Sequence, residues 1–125
     1  MDLKFLVVDD SVTMRRIVVN SLRNLGYENF VEATDGQDAL TKLKSDEAIN
    51  FIITDWNMPV ISGLDLVKNI RSDSKVGMLP ILMVTTRGVK EDIIEALHAK
   101  VNNYIVKPFT PQILRDKIDQ ILATN

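Results

Sequence analysis

Five short apolar runs alternate along the chain with segments that have the spacing of amphipathic helices, and this alternation constrains the fold more than any other feature. The runs are LKFLVVDD, NFVEA, FIITD, PILMVTT and NNYIV. The helical segments are VTMRRIVVNSLRNLG, DGQDALTKL, GLDLVKNIRS, VKEDIIEALHA and TPQILRDKIDQIL. Central strands with near-continuous Val, Ile and Leu are typical of parallel sheets covered on both faces. We therefore predict an α/β fold with a five-stranded parallel sheet and helices on both of its faces.

Local signals mark the ends of several helices. Gly26 is placed to end the first helix, Asp35 to cap the second, and Thr110, followed by Pro111, to begin the last. In the first helix the spacing predicts a buried face formed by Met14, Ile17, Val18, Ser21, Leu22 and Leu25. The arginines left on the solvated face are Arg15, Arg16 and Arg23.

The composition limits the classes of function. The chain has 125 residues, so we expect a single domain spanning 1–125. Fifteen basic and seventeen acidic residues give a net charge of -2, which does not support nucleic-acid binding. There is no cysteine, so neither a disulfide nor a thiolate metal site is possible. No apolar run approaches the length of a membrane span or a signal peptide, so we expect a cytoplasmic protein with no membrane partner.

Polar side chains stand at the ends of four predicted strands. Asp9 and Asp10 follow the first strand, and Asp55 follows the third. Thr85 ends the fourth strand, and Lys107 follows the fifth. Right-handed crossovers place the carboxyl ends of parallel strands on one rim, where such sheets bind ligands. We expect these side chains to converge there if the first and third strands are neighbours.

Three carboxylates at one rim need a compensating positive charge. Two unit charges about 4 Å apart repel by roughly 4 kcal/mol at an effective dielectric of 20. Oxygen ligands without His or Cys favour Mg²⁺, and a lysine with a hydroxyl beside them predicts a site for a phosphoryl group. Each residue alone has an ordinary explanation, such as a helix cap, a strand end or a surface charge. The inference therefore rests on the joint pattern.

In its motifs the chain resembles the receiver domains of two-component response regulators. The segments VVDDS, ITDWNMPVISG, VTT and YIVKPFT carry the resemblance, in the order and spacing of that family. Within the family the chain is most similar to the single-domain CheY-type chemotaxis regulators, through DWNMP and NNYIVKPFTP. The resemblance implies a flavodoxin-like (CheY-like) sheet with the strand order 2-1-3-4-5.

The resemblance also implies roles for the catalytic and switch residues. Asp55 is the phosphoacceptor and attacks a phosphohistidine of a kinase. Lys107, aided by a cis bond to Pro108, pairs with a phosphoryl oxygen, and Thr85 hydrogen-bonds the phosphoryl group. Tyr104 then turns inward behind it, so that Thr85 and Tyr104 form a two-state switch.

The implied cofactor is Mg²⁺. Its ligands are Asp10, Asp55 and the backbone carbonyl of Asn57. Asp9 completes the metal site and acts mainly through water.

The implied function is that of a phosphorylation-activated regulator in bacterial or archaeal chemotaxis, which is not an enzyme although it catalyses its own phosphorylation and dephosphorylation. We expect a monomer whose partners are a CheA-type histidine kinase, a flagellar motor switch protein and a phosphatase. The last two helices and the fifth strand form the face that the output partner reads. The alternative is a free-standing receiver that shuttles phosphate in a phosphorelay.

Two other classes of function are disfavoured. A haloacid dehalogenase-type phosphohydrolase needs a second Asp where this chain has Asn57. A flavodoxin-like cofactor binder would set Asp9 and Asp10 against a flavin phosphate.

Four residues stand out beside these motifs. Arg87 lies where CheY-type proteins often carry an acidic residue, and Thr86 is bulkier than the Ala or Gly common there. Lys100 lies where the family usually places Gly, which implies a left-handed backbone or a different turn. Trp56 is either a packing residue or part of a docking surface, and we interpret it as an exposed aromatic residue on a docking surface.

Overall fold

A computed structural model describes residues 2–124 of the protein. Within this range five strands alternate with five helices. The strands are β1 (Phe5–Val8), β2 (Phe30–Ala33), β3 (Phe51–Thr54), β4 (Ile81–Thr85) and β5 (Asn103–Val106). The helices are α1 (Val12–Asn24), α2 (Gly36–Ser45), α3 (Gly63–Arg71), α4 (Lys90–His98) and α5 (Pro111–Thr124). The predicted succession of βα units is confirmed.

The five strands form one parallel sheet in the order β2-β1-β3-β4-β5. The predicted fold class and strand order are therefore confirmed. Val8 lies opposite Thr54 in the β1–β3 pairing. Because of this register, the residues that follow these two strands begin at the same level of the sheet.

Two apolar cores lie on opposite faces of the sheet. Alternate residues of β1 point to opposite sides: Phe5 and Val7 belong to one core, and Leu6 and Val8 to the other. The core with Phe5 includes residues of α1 and α5, and the core with Leu6 includes residues of α2, α3 and α4. Full burial of a Leu or Ile side chain contributes roughly 1.5–3 kcal/mol, so both layers stabilise the sheet. None of the helices within residues 2–124 has both the length and the apolar content needed to span a bilayer.

Side-chain caps fix the starts of four helices. The predicted caps Asp35 and Thr110 accept hydrogen bonds from Asp38 N at 2.7 Å and Ile113 N at 3.2 Å. Ser11 and Ser62 make the equivalent bonds to Met14 N and Asp65 N at the starts of α1 and α3. A cap of this kind contributes about 1 kcal/mol. Val89, which precedes α4, makes no such side-chain bond.

The buried face of α1 differs from the predicted one. Ile17 is exposed, whereas Arg15 and Val19 are buried. The buried residues of this helix are Arg15, Val18, Val19, Ser21 and Leu22. The predicted solvated position of Arg15 is therefore wrong, because Arg15 shares its helix face with Val18 and Leu22 at the spacing of successive turns.

Lys100 adopts the left-handed backbone conformation, with φ 75°. Its carbonyl accepts a hydrogen bond from Arg71 Nε at 2.9 Å. The Arg71 guanidinium also donates to the carbonyls of Gly77 and Leu79 and to Asn102 Oδ1. One arginine therefore ties the end of α3 to the segments before β4 and β5.

Candidate functional site

The carboxyl ends of β1 and β3 bring three carboxylates together. Asp9 and Asp10 follow β1, and Asp55 follows β3, its neighbour in the sheet. Asp55 N donates a hydrogen bond to Val8 O at 3.0 Å, which continues the strand pairing up to the acceptor position. One oxygen from each carboxylate lies within 4.8 Å of the others. We call Asp9, Asp10 and Asp55 the acid cluster.

The acid cluster has the donor set that Mg²⁺ requires. Asp9 is 3% exposed, Asp55 is partly buried and Asp10 is exposed, so an ion would be held by protein on one side and by water on the other. Mg²⁺ in proteins takes one or two carboxylates and keeps several waters. Three like charges this close also repel one another, which a divalent cation relieves. The residues present therefore fit a magnesium ion.

Lys107 supplies a positive charge between two of the carboxylates. Its Nζ lies 3.3 Å from Asp9 Oδ2 and 3.3 Å from Asp55 Oδ1, and its side chain is 8% exposed. Lys107 N donates to Thr85 O at 2.8 Å, and the peptide bond to Pro108 is cis, as expected. The ammonium group compensates part of the acid cluster's charge and leaves the rest for a cation.

Burial raises the pKa of the Asp55 carboxyl above its ordinary value. The positive charge of Lys107 acts in the opposite direction, and the negative charge of Asp9 adds to the increase in pKa. Desolvation disfavours the charged form of a carboxyl group, and a nearby like charge does the same. The carboxylate of Asp55 is therefore held at a cost in free energy that an incoming cation relieves.

Thr85 and Tyr104 lie close together beside the acid cluster. The Thr85 side chain is fully buried, and its Oγ1 accepts a hydrogen bond from Arg87 N at 3.3 Å. Tyr104 is 8% exposed, and its hydroxyl donates to the carbonyl of Arg87. Burial, followed by the negative charge of Asp92, raises the pKa of Tyr104 to about 12. Tyr104 is therefore a neutral donor at physiological pH and already faces inward.

Arg87 links the β3–α3 loop to the β4–α4 loop and to α4. Its Nε donates to Asn57 Oδ1 at 3.0 Å, and its guanidinium carbon lies 4.6 Å from the centre of the Trp56 ring. Its Nη1 is 3.8 Å from Asp92 Oδ2. Arginine over an aromatic face gives a cation–π contact. Arg87 is unusual in the sequence, but its contacts could not be predicted because they join segments that are far apart in the chain.

The predicted exposure of Trp56 is wrong. The residue is 5% exposed and belongs to the core with Leu6, with Arg87 over its ring. A tryptophan side chain buries a large apolar area, and here the guanidinium covers what the core leaves open. Trp56 is therefore a packing residue next to the acid cluster.

Gly63 allows α3 to begin against the backbone of Asp55. A Cβ atom on this residue would lie 1.9 Å from Asp55 O, a distance too short for any residue other than glycine. Gly63 N donates to Trp56 O at 2.7 Å. The close approach fixes the loop that follows the acid cluster.

The remaining sequence-derived positions are placed as follows. Asn57 is exposed and its side chain is engaged by Arg87, so a role for its carbonyl stays a prediction. Thr86 is exposed beside Thr85. A cavity of about 320 Å³, lined in part by Leu43, shares no residue with the acid cluster.

Arg15 makes a contact to the site that its charge does not predict. Arg15 donates from Nη1 to Asp9 O at 2.8 Å and from Nε to Glu32 Oε1 at 3.0 Å. A signal was present, because Arg15 stands three and seven residues before the apolar Val18 and Leu22 of the same helix. Because a charged side chain is normally predicted to be exposed, the burial of Arg15 was not predicted.

Comparisons with known proteins agree with this geometry. The family model described as the response regulator receiver domain matches residues 5–119. The chemotaxis protein CheY1 of Helicobacter pylori (strain ATCC 700392 / 26695) is 56% identical over 123 residues, which cover 98% of this chain and 99% of that protein. CheY-3 of Vibrio cholerae (strain ATCC 39541) is 53% identical over 120 residues, or 96% of this chain and 92% of that one.

Solved structures are similar as well. The Vibrio cholerae chemotaxis response regulator CheY4 has a TM-score of 0.87 at 36% sequence identity, covering 97% of this chain and 99% of that chain. A response regulator receiver protein from Pseudomonas putida has a TM-score of 0.86 at 28% identity, covering 96% and 98%.

Proposed function

The chain belongs to the response regulator receiver domain family and is of the CheY chemotaxis type, and on this premise we propose that phosphorylation of Asp55 switches its affinity for an output partner. The observation that supports this most directly is the position of Lys107. Its ammonium group is equidistant from Asp9 and Asp55 at the open rim of the sheet. Two carboxylates and a lysine arranged in this way can accept a phosphoryl group and balance its charge.

The chemical step uses the Asp55 carboxylate as nucleophile. An oxygen of Asp55 attacks the phosphorus of a phosphohistidine, the P–O bond forms, and the P–N bond breaks with its electron pair on the imidazole nitrogen, which takes up a proton. Lys107 pairs with a phosphoryl oxygen, and the Thr85 hydroxyl donates to another. Asp10, Asp55 and the Asn57 carbonyl, with Asp9 acting through water, would hold a Mg²⁺ ion, and the ion would supply positive charge to balance the phosphoryl oxygens.

The product is an acyl phosphate at the site, and its extra charge is the signal. Formation of the Thr85 bond to the phosphoryl group favours one position of the β4–α4 loop, which Tyr104 already contacts through the carbonyl of Arg87. We propose that Thr85 and Tyr104 are the switch residues. The protein acts as a signalling protein that catalyses only its own phosphorylation and dephosphorylation.

The output face is formed by α4, β5 and α5. Each of these three elements carries at least one apolar side chain that is between 41% and 49% exposed: Ile94, Leu97, Val106 and Ile113. Exposed apolar patches are typical of binding surfaces. We propose a flagellar motor switch protein as the target, a histidine kinase as the phosphodonor and a phosphatase as a further partner, in the cytoplasm.

Intact-mass measurement after incubation with acetyl phosphate and Mg²⁺ tests the acceptor. The wild type and Asp65→Asn, which removes an exposed carboxylate of α3, gain one phosphoryl group, whereas Asp55→Asn gains none. Incorporation into Asp55→Asn at the wild-type level would contradict the assignment.

Pull-down with and without beryllofluoride, which mimics the phosphoryl group, tests the output. A motor switch peptide is retained more strongly with beryllofluoride. Equal retention in both conditions would contradict the proposal that phosphorylation changes the affinity for the output partner. Retention of a histidine phosphotransfer domain in place of the peptide would favour the phosphorelay shuttle.

A further inference from the structure

Arg15 reaches the acid cluster from the first turns of α1. Its Cβ, like every Cβ in a helix, is tilted toward the N-terminus, so the side chain extends back over the loop that contains Asp9 and Asp10. The residue is buried although it carries a charge. A buried arginine that shared its face only with Val18 and Leu22 would be costly, so its polar contacts explain its position.

Both contacts of the guanidinium are directed hydrogen bonds. Nη1 donates to Asp9 O at 2.8 Å in a buried position, and Nε donates to Glu32 Oε1 at 3.0 Å. Because the guanidinium is planar, bonds from two of its nitrogens fix its orientation as well as its position. Glu32 lies on β2, so Arg15 spans α1, the end of β1 and the edge strand.

The side chain and the backbone nitrogen of Asp9 also make hydrogen bonds or ion pairs. Asp9 Oδ1 accepts from Ser11 N at 2.9 Å, and Oδ2 faces Lys107 Nζ. Asp9 N donates to Ala33 O at 3.2 Å. The bond from Arg15 completes this set by fixing the carbonyl, and the carbonyl belongs to the same peptide unit as the nitrogen of Asp10.

We propose that Arg15 is a positioning residue that orients the Asp9–Asp10 peptide and thereby aims both carboxylates into the metal site. The inference rests on the proposed function, in which these carboxylates surround Mg²⁺. Asp10 is exposed, so packing does little to set its direction, and the preceding peptide unit sets it instead. Three carboxylates that repel one another would otherwise spread apart, and Arg15 keeps them converged before an ion arrives.

Mg²⁺ titration followed by Trp56 emission tests this role, since Trp56 is the only tryptophan and adjoins Asp55. Arg15→Lys keeps the charge but loses the two-point contact, and we expect Mg²⁺ affinity about tenfold weaker, within the range found when groups that orient metal ligands are removed. Arg16→Lys, an exposed neighbour on the same helix, is the matched control and retains wild-type affinity.

Unfolding in EDTA, measured on the same variants, separates positioning from packing. Arg15→Lys with reduced thermal stability but wild-type Mg²⁺ affinity would overturn the inference and leave the proposed function intact. If Arg15→Lys does not fold, Glu32→Ala decides, because Glu32 is half-exposed and holds the other end of the guanidinium. Weakened Mg²⁺ binding by Glu32→Ala supports the inference, and unchanged binding overturns it. A wild type without saturable response to Mg²⁺ would overturn the metal site itself.

Discussion

Lys107 Nζ lies 3.3 Å from Asp55 Oδ1, and this contact does not fully compensate the burial of the Asp55 carboxyl. The pKa of Asp55 is raised by burial despite the lysine, with a smaller contribution from Asp9 in the same direction. The negative charge of this site is therefore only partly compensated by Lys107, and a cation would compensate the rest.

Asp55→Asn should increase the free energy of unfolding at neutral pH without Mg²⁺. A carboxyl whose folded-state pKa is raised stabilises the fold below its unfolded pKa, and that contribution is lost as pH rises through the folded pKa. At pH 7 the carboxylate is thus a net cost, which the amide removes. Urea unfolding in EDTA from pH 7 down to pH 3.5 checks this, and the gain should shrink as Asp55 takes up a proton. A variant less stable than wild type at pH 7 would contradict it.

The contribution of Tyr104 to stability should be lost in alkali. Its folded pKa is about 12 against the ordinary value of 10.0, so the unfolded state loses its phenolic proton first as pH rises. The stabilisation is complete below pH 10 and falls between pH 10 and pH 12. The difference in unfolding free energy between wild type and Tyr104→Phe should shrink over that interval. A difference that stays constant to pH 12 would show that the hydroxyl is not buried.

Arg71→Lys should destabilise the protein by about 1–3 kcal/mol, because lysine cannot reproduce the four hydrogen bonds of the guanidinium and leaves the partly buried carbonyls of Gly77 and Leu79 without a donor. Denaturant unfolding measures the loss. Lys68→Ala, at an exposed position of the same helix, serves as the control and should change stability by no more than about 0.5 kcal/mol. Equal effects of the two substitutions would show that the hydrogen bonds of Arg71 do not stabilise the protein.

Lys100→Gly should stabilise the protein by about 1 kcal/mol, because a non-glycine residue in the left-handed region costs roughly 1–2 kcal/mol. The carbonyl that Arg71 binds is retained in this variant. Gly26 has φ 95° and open space around it, so Gly26→Ala is the converse test and should cost about 1 kcal/mol. Thermal unfolding of both variants checks the two predictions. A loss of stability in Lys100→Gly would show that the left-handed backbone of Lys100 is not strained.

Arg87→Ala should lower stability by about 0.5–1 kcal/mol through loss of the cation–π contact. It should also expose Trp56 to acrylamide quenching, since the guanidinium covers the ring. Arg23→Ala, which removes a guanidinium 5.5 Å from the Phe30 ring, is the control and leaves quenching unchanged. Unchanged quenching in Arg87→Ala would mean that the core alone buries Trp56.

Much of the site could be predicted because it depends on local patterns. Strands of continuous Val, Ile and Leu predict a parallel sheet, and a parallel sheet gathers the residues after its strands at one rim. These positions are those of Asp9, Asp10, Asp55, Thr85 and Lys107. The three carboxylates and the Lys107 ammonium meet in the structure, and the Thr85 carbonyl accepts a hydrogen bond from Lys107 N. The strand order came from the resemblance, since periodicity does not determine which strands are neighbours.

The sequence by itself determined the alternation of strands and helices, the caps at Asp35 and Thr110, and which polar residues stand at the rim. Only the tertiary structure decided the surroundings of Trp56, Arg15 and Arg87. Each of these side chains takes its environment from segments distant in the chain: the core and Arg87 cover Trp56, and Asp9 and Glu32 receive Arg15. Hydrophobicity and charge predict burial for an isolated position, whereas a long side chain is buried or exposed according to the partners that the fold brings within its reach.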